Sequence, residues 1–366
     1  MQPKSNIVHL PVYKPGKSTD EVRRELGLSE ITKLASNENP FGFSPKVKEA
    51  IAEELNQLYL YPDGAAVLLT QAVSEHYGVN TDQIIFGAGS DEIILMLARA
   101  FLVPGDETIM ATTTFPQYKH NVEIENAVCV EVPHINGKHD LPGMLARVND
   151  KTKIVWICNP NNPTGTMVTH DEVETFMKAV PNHVLVVLDE AYCEYDTSGV
   201  YPRSFELLAS YKNLILLRTF SKVYGLAALR IGYGIGHADV IHTINQVREP
   251  FNTTRIAQAA AIAAIKDQDF VAKCREDNAV GCAYLQGEFI RLGLDAFPAH
   301  GNFIMVDVKR PGSEVFQGLL RKGFIVRFDP QWGMPNHLRV TIGSQEQNTK
   351  LAHALEEVLA EVTVQA

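Results

Sequence analysis

The chain has 366 residues, 45% hydrophobic and 21% charged, with a formal net charge of −10. That length provides for one large domain with a sizeable core and a smaller one beside it. The acidic balance, without a basic tract, excludes a nucleic-acid or anionic-membrane footprint, so an anionic ligand must be met by arginines gathered locally.

Five cysteines, Cys129, Cys158, Cys193, Cys274 and Cys282, form no C-x-x-C pair, and several sit inside apolar runs. They read as reduced thiols in or near the core. The opening segment MQPKSNIVHLPVYKPGK lacks the apolar centre of a signal peptide, and no apolar run reaches the roughly 18 residues of a membrane span. A cytoplasmic protein is expected, with no metal site.

Residues 1–44 are mixed and Pro-rich and read as an extended arm that forms part of a small domain. Ser44-Pro45 opens a helix, with a capping hydroxyl and proline at the first helical position. A second helix runs from about Ala65 to Tyr77 and stops at Gly78. From Gln83 the pattern alternates. QIIF is a strand, GAGSD a turn and EIILMLARAFL a helix; ETIMAT and KIVWICNP are strands. Thr169-His-Asp-Glu172 predicts a capping box at a helix start. VLVVLDEAY, LILLRTF and RIGYGIG are further strands. Short, apolar, β-branched runs suit a sheet covered on both faces by helices, which makes residues 45–246 an α/β large domain. Residues 247–366 form a small α+β domain: helical patterns over 252–266 and 269–292, then NFIMVDV, a helix over 312–322, FIVRF, HLRVTIG and a last helix over 344–361.

The residues with chemistry to offer follow these strands, where ligands bind in open α/β sheets. GAGSDEI (87–93) opens a helix, whose free N–H groups and Ser90 hydroxyl suit a phosphate, although such a turn is often only a turn. Phe115 in TTTFPQY could stack on a flat heterocycle or simply fill core. CNPNNPTG (158–165) forces an irregular loop that offers Asn162 as a donor. LDEAY (188–192) ends an apolar strand with Asp189, a charge that needs a cationic partner there, either a ligand nitrogen or an arginine. RTFSKVYGLAALRIGYG (218–234) sets Lys222 after a strand, preceded by Thr219 and Ser221 and followed by Arg230. A lysine desolvated beside other cations has a lowered pKa and is available for imine chemistry. Thr219, Ser221 and Arg230 could complete a phosphate cup.

In this order the motifs resemble the fold-type I pyridoxal-phosphate (PLP) enzymes, and among them the class I and II aminotransferases, over essentially the whole chain. LASNENPFG (34–42), LYPDGA (60–65), FGAGSDEII (86–94), TTFPQYKHN (113–121), CNPNNPTG and RTFSKVYGLAALRIGY look like the histidinol-phosphate aminotransferases, enzymes of histidine biosynthesis. The resemblance implies a mostly parallel seven-stranded sheet between helices in the large domain, and PLP as cofactor. It implies Lys222 as the Schiff-base lysine and proton carrier, Asp189 as partner of the pyridine nitrogen, Tyr192 and Asn162 at the cofactor's 3′-oxygen, and Phe115 stacked on the ring. Ser90, Asp91 (by its main-chain N–H), Thr219, Ser221 and Arg230 match the phosphate cup. Tyr61 matches a tyrosine that reaches the partner subunit's cofactor, which implies a homodimer with shared sites.

For substrate, Arg339 matches the arginine that grips an anionic group, and a guanidinium fork serves carboxylate and phosphate alike. Arg327 and Tyr13 match the further phosphate contacts of the histidinol-phosphate enzymes, and Glu38 and Asn39 the lining near the imidazole. The implied reaction transfers the amino group of L-histidinol phosphate to 2-oxoglutarate by a ping-pong route. An aromatic amino-acid aminotransferase, a PLP-dependent decarboxylase of a phosphorylated amino acid and a non-enzymatic PLP-binding domain are the competing expectations.

Overall fold

The computed structural model describes residues 1–10, 12 and 16–362. In chain order its first elements are α1 (Thr19–Leu26), β1 (Thr32–Lys33), α2 (Pro45–Glu54), α3 (Val67–Tyr77), β2 (Ile84–Gly87), α4 (Ser90–Phe101), β3 (Glu107–Ala111), α5 (Gln117–Ile124), β4 (Val128–Val132) and α6 (Leu141–Leu145). Then come β5 (Thr152–Cys158), α7 (His170–Ala179), β6 (Leu185–Asp189), α8 (Ser204–Ser210), β7 (Leu214–Thr219), β8 (Gly232–Gly236) and α9 (Ala238–Asn245). The last part holds α10 (Arg255–Ile265), α11 (Gln268–Arg291), β9 (Asp295–Ala296), β10 (Phe303–Asp307), α12 (Gly312–Arg321), β11 (Phe324–Ile325), β12 (His337–Thr341) and α13 (Gln345–Glu361).

The apolar runs form a seven-stranded sheet of order β2-β8-β7-β6-β5-β3-β4, in which only β8 runs antiparallel to its neighbours. Every residue of β6 and β7 is buried, because helices cover both faces. Val186, Val187 and Leu188 are fully buried, each worth about 1.5–3 kcal/mol of removed apolar surface. The expected caps are present. Ser44 accepts from Lys46 N–H at α2, and Thr169 and Glu172 make a reciprocal box at α7.

The arm departs from the expected extended chain. Ser18 and Glu21 form a capping box, and Gly27 takes a left-handed C-cap, so residues 19–26 are helical. Thr32 and Lys33 then pair in parallel with Phe324 and Ile325, and Leu34 enters a core with β10, β12, α12 and α13 residues. Helix α10 follows residue 246, yet it packs on α2 and α3, and its Ala257, Ala260, Ala261 and Ala264 belong to the core of the large sheet. A separate antiparallel sheet, β12-β10-β9, backs the second core. None of the described helices is long and apolar enough to cross a membrane.

Candidate active site

A cavity of about 610 Å³ opens at the C-terminal edge of the parallel strands. Gly89 and Ser90 reach it after β2, Phe115 after β3, Cys158 and Asn162 from β5, Asp189 from β6, and Thr219, Ser221 and Lys222 from β7. Because β8 runs the opposite way, Arg230, two residues before its start, arrives at the same edge. Arg327 and Arg339 line the cavity from the second sheet's side.

The acidic pair at the end of β6 divides between two faces, as successive residues of an extended strand do. Glu190 turns away from the cavity and accepts from Arg218 Nε and Nη2 of β7, at 2.9 and 2.8 Å. The arginine-paired alternative considered for Asp189 thus describes Glu190. Asp189 faces the cavity, where Tyr118 Oη donates to Oδ2 at 2.6 Å and the Ala191 N–H donates to Oδ1 at 3.2 Å. Burial raises the Asp189 carboxyl to about 6, against the lowering effect of these two donors. Tyr118 is fully buried and stacked on Trp156, with ring centroids 5.0 Å apart, and meets Phe115 edge-on at 5.6 Å.

Lys222 sits on the turn after β7, half-buried, with Nζ donating to the Ser36 carbonyl at 3.3 Å and lying 5.3 Å from the centre of the Tyr192 ring. Burial, reinforced by the positive charge of Arg339, brings its amine down to about 8. The turn needs glycine at 225: φ is +73°, and a Cβ there would stand 1.9 Å from the Gly42 carbonyl oxygen. Tyr192 is buried, which pushes its phenol up, and Asn37 Nδ2 donates to its Oη at 3.2 Å.

The start of α4 faces Arg230. Its guanidinium donates to Ser221 Oγ at 3.3 Å and the Ala88 carbonyl at 3.3 Å, and pairs with Asp91 at 3.5 Å. A Cβ on Gly89 would stand 2.6 Å from Arg230 Nη2, and one on Gly232 2.6 Å from Ser90 N. Only glycines at both positions allow the helix start, the arginine and β8 to close on one point, which is a cradle for a small anion. The donor set fits PLP: an anion cradle, an amine of lowered pKa, a buried carboxylate and an aromatic face at Phe115 around one space.

Arg327 and Arg339 are partners in an antiparallel bridge, exchanging backbone hydrogen bonds of 3.0 and 2.9 Å. Directly opposed residues project to the same side, so both guanidinia reach one wall. Arg339 donates to Asn162 Oδ1 at 2.5 Å and the Ala35 carbonyl at 2.6 Å. That leaves the Asn162 amide nitrogen as its donor end. Arg327 Nη2 donates to Asp329 Oδ2 at 2.9 Å.

Of the residues expected to line the cavity, Asn39 and Glu38 do not. Asn39 is turned elsewhere: its Nδ2 donates to the Val223 carbonyl at 2.8 Å and its Oδ1 caps Phe41 N–H, so it holds the Lys222 turn rather than lining the pocket. Tyr61 is exposed and stacked on Phe251 at 4.8 Å, away from its own chain's cavity. Tyr13 lies outside the described residues. Glu38 pairs with Lys33 at 3.0 Å and is not in the lining. Two residues went unnoticed in the sequence. Asn37, with φ +56°, is fixed by Thr341 and holds Tyr192. Tyr118 stands three residues after Phe115, across the start of α5. Pro116 was the available signal for that helix start, since helical spacing brings positions 115 and 118 together.

A parallel-sheet crevice with a lysine of lowered pKa, a buried aspartate and an anion cradle defines a class of transferase. The chain belongs to the aminotransferase class I and II family, whose model matches residues 29–355. Among its relatives, the histidinol-phosphate aminotransferase of Brevibacillus brevis is 54% identical over 98% of this chain and 99% of its own. That of a Geobacillus species is 52% identical over 99% of both. The solved histidinol-phosphate aminotransferase of Sinorhizobium meliloti, in complex with pyridoxal-5′-phosphate, superposes with a TM-score of 0.90 at 29% identity, covering 98% of each chain.

Proposed function

We propose that the chain is a PLP-dependent enzyme that transfers the amino group of L-histidinol phosphate to 2-oxoglutarate, giving imidazole acetol phosphate and L-glutamate. The observation that carries the substrate is the bridged pair Arg327 and Arg339, which sets two guanidinia on the wall of the cavity that holds Lys222 and Asp189. The relatives named for this substrate support it.

When bound, the cofactor supplies a carbonyl conjugated to an electron-withdrawing ring. Ser221, Arg230 and the N–H groups at the start of α4 would hold its phosphate, with Thr219 beneath them. The Asp91 carboxylate is tied to Arg230, so its main-chain N–H would be the contact. Phe115 would cover one ring face, and Tyr192 and Asn162 would hold the ring oxygen. Asp189 would meet the ring nitrogen and hold a proton there, the charge that makes the ring electron-withdrawing. Lys222, at about 8, offers enough neutral amine near pH 7 to serve as the base that would carry the substrate Cα proton. Arg327 and Arg339 orient the substrate by its anionic end.

A homodimer and a cytoplasmic setting belong to the same proposal. Tyr61 is exposed, as are its chain neighbours Leu58, Tyr59 and Leu60, apolar side chains that a second copy would cover, and across that contact Tyr61 would reach the partner's cradle. The described cysteines are all free thiols, as in a reducing compartment.

Steady-state kinetics test the assignment. With 2-oxoglutarate as acceptor, histidinol phosphate should give a higher kcat/KM than phenylalanine, and Arg327→Ala should raise the KM for histidinol phosphate more than that for phenylalanine. Equal effects on both donors would remove the phosphate role, and release of carbon dioxide in place of glutamate would assign a lyase.

A further inference from the structure

Arg339 donates to the Asn162 amide oxygen and the Ala35 carbonyl. Arg327 already has a full negative charge beside it, the Asp329 carboxylate at 2.9 Å. Both side chains of that pair are about one-fifth exposed, and both line the cavity. The arm passes close on the Nη1 side: a Cβ on Gly16 would stand 3.1 Å from Arg327 Nη1. Asp329 in turn is fixed by its own loop, since its Oδ1 accepts from Gln331 N–H at 3.1 Å as cap of a short 3₁₀ turn, Pro330–Trp332. Thr113 Oγ ties that turn to the large sheet by donating to the Trp332 carbonyl at 3.1 Å. The carboxylate therefore cannot swing clear of Arg327 without undoing the cap.

We propose that Asp329 is the built-in counter-ion of Arg327 and sets how strongly this wall binds a phosphate ester. The inference rests on the substrate assignment above. A phosphate dianion seated on Arg327 lies within reach of the Asp329 charge and is repelled by it, so part of the attraction of Arg327 is cancelled. A ligand without an anion at that point leaves Arg327 satisfied by Asp329 rather than stranded in a desolvated wall. One cavity can then take a phosphorylated donor and also an acceptor whose anionic group stops short of Arg327. The ketone product carries the same phosphate as the donor, so the same repulsion promotes its departure.

The test uses the holoenzyme, in which the cofactor's own phosphate site is filled, with inorganic phosphate as probe. Its dissociation constant is measured by calorimetry and by competition against histidinol phosphate, for the parent chain and for Asp329→Asn, in which the Asn oxygen still accepts from Gln331 N–H. Loss of one like charge at this range should tighten phosphate binding about tenfold and lower the KM for histidinol phosphate, while the KM for phenylalanine moves less than about twofold. Asp329→Ser, which keeps a cap with a different side chain, should shift phosphate binding the same way. Unchanged or weaker phosphate binding in both variants would overturn the counter-ion role while leaving the substrate assignment standing. Phosphate that fails to compete with histidinol phosphate in the parent chain would defeat the assignment and the inference together.

Discussion

Removing one hydroxyl, in Tyr118→Phe, isolates the control of Asp189. The ring would keep its stack on Trp156 and its edge contact with Phe115, so the substitution leaves packing intact and deletes the hydroxyl that bonds Asp189 Oδ2 at 2.6 Å and also neighbours the Cys158 thiol. A hydrogen bond to a buried charged group contributes about 1.5–3 kcal/mol. One pKa unit is about 1.4 kcal/mol, so the Asp189 carboxyl should rise from about 6 by roughly one to two units in the cofactor-free protein. The sign is fixed because the hydroxyl stabilises the ionised form alone. In the parent chain a raised carboxyl binds its proton more tightly folded than unfolded, so its contribution to stability falls as pH rises from about 4 through about 6. In the variant that loss extends to higher pH. PLP binding to the apoprotein, followed by absorbance against pH, reads the change directly. The acid limb, where protonated Asp189 no longer meets a ring cation, should move up by the same one to two units. An acid limb that stays in place would refute the argument that Tyr118 sets the charge of Asp189.

Lys222 gives a second titration. With its amine at about 8, the rate at which apoprotein captures PLP covalently should climb about tenfold per pH unit below 8 and level off above, and Lys222→Ala should show no covalent capture. Rapid mixing across that range checks this, and a flat profile would reject the lowered amine. The stability sign is opposite to that of Asp189: the unfolded lysine holds its proton up to its ordinary value of 10.5, so stability should rise with pH between about 8 and that value. Gly225→Ala places a methyl against the Gly42 carbonyl in a left-handed turn; it should lower stability by at least about 1–3 kcal/mol in thermal melts and slow PLP capture by shifting Lys222, and a variant with the parent's melting temperature would contradict the close approach.

What the sequence disclosed follows from how local each signal is. Lys222, Asp189, Ser90 and Arg230 each sit within a few residues of a strand end or helix start, and in an α/β sheet that edge is the binding edge, so position along the chain was enough. Asn37 and Asn39 show the limit. Both lie in one SNENP turn, and which side chain faces Tyr192 depends on a left-handed backbone at residue 37 and on Thr341, far along the chain. Likewise Asp189 and Glu190 carry equal charge in the sequence, and only the pleat of β6 and the presence of Arg218 on β7 separate their tasks. Helix α1 was legible through Ser18, Glu21 and Gly27, but the prolines around it suggested an extended arm. The pairing of β1 with β11 had no local signal, since two-residue strands carry no periodicity.

That last pairing has a consequence for how the protein is made. Leu34 and Ala35 are held by β11, β12 and the guanidinium of Arg339, residues some 290 or more positions further along the chain. All seven strands of the large sheet and the α10 helix that packs on its core lie before residue 266, but one wall of the pocket must wait for residues 324–341. Pairing over such a span is slow, and the unfinished half exposes its apolar face meanwhile. Opening this pairing, by Thr32→Pro, should therefore weaken the grip on anionic substrates more than it disturbs the Lys222 turn.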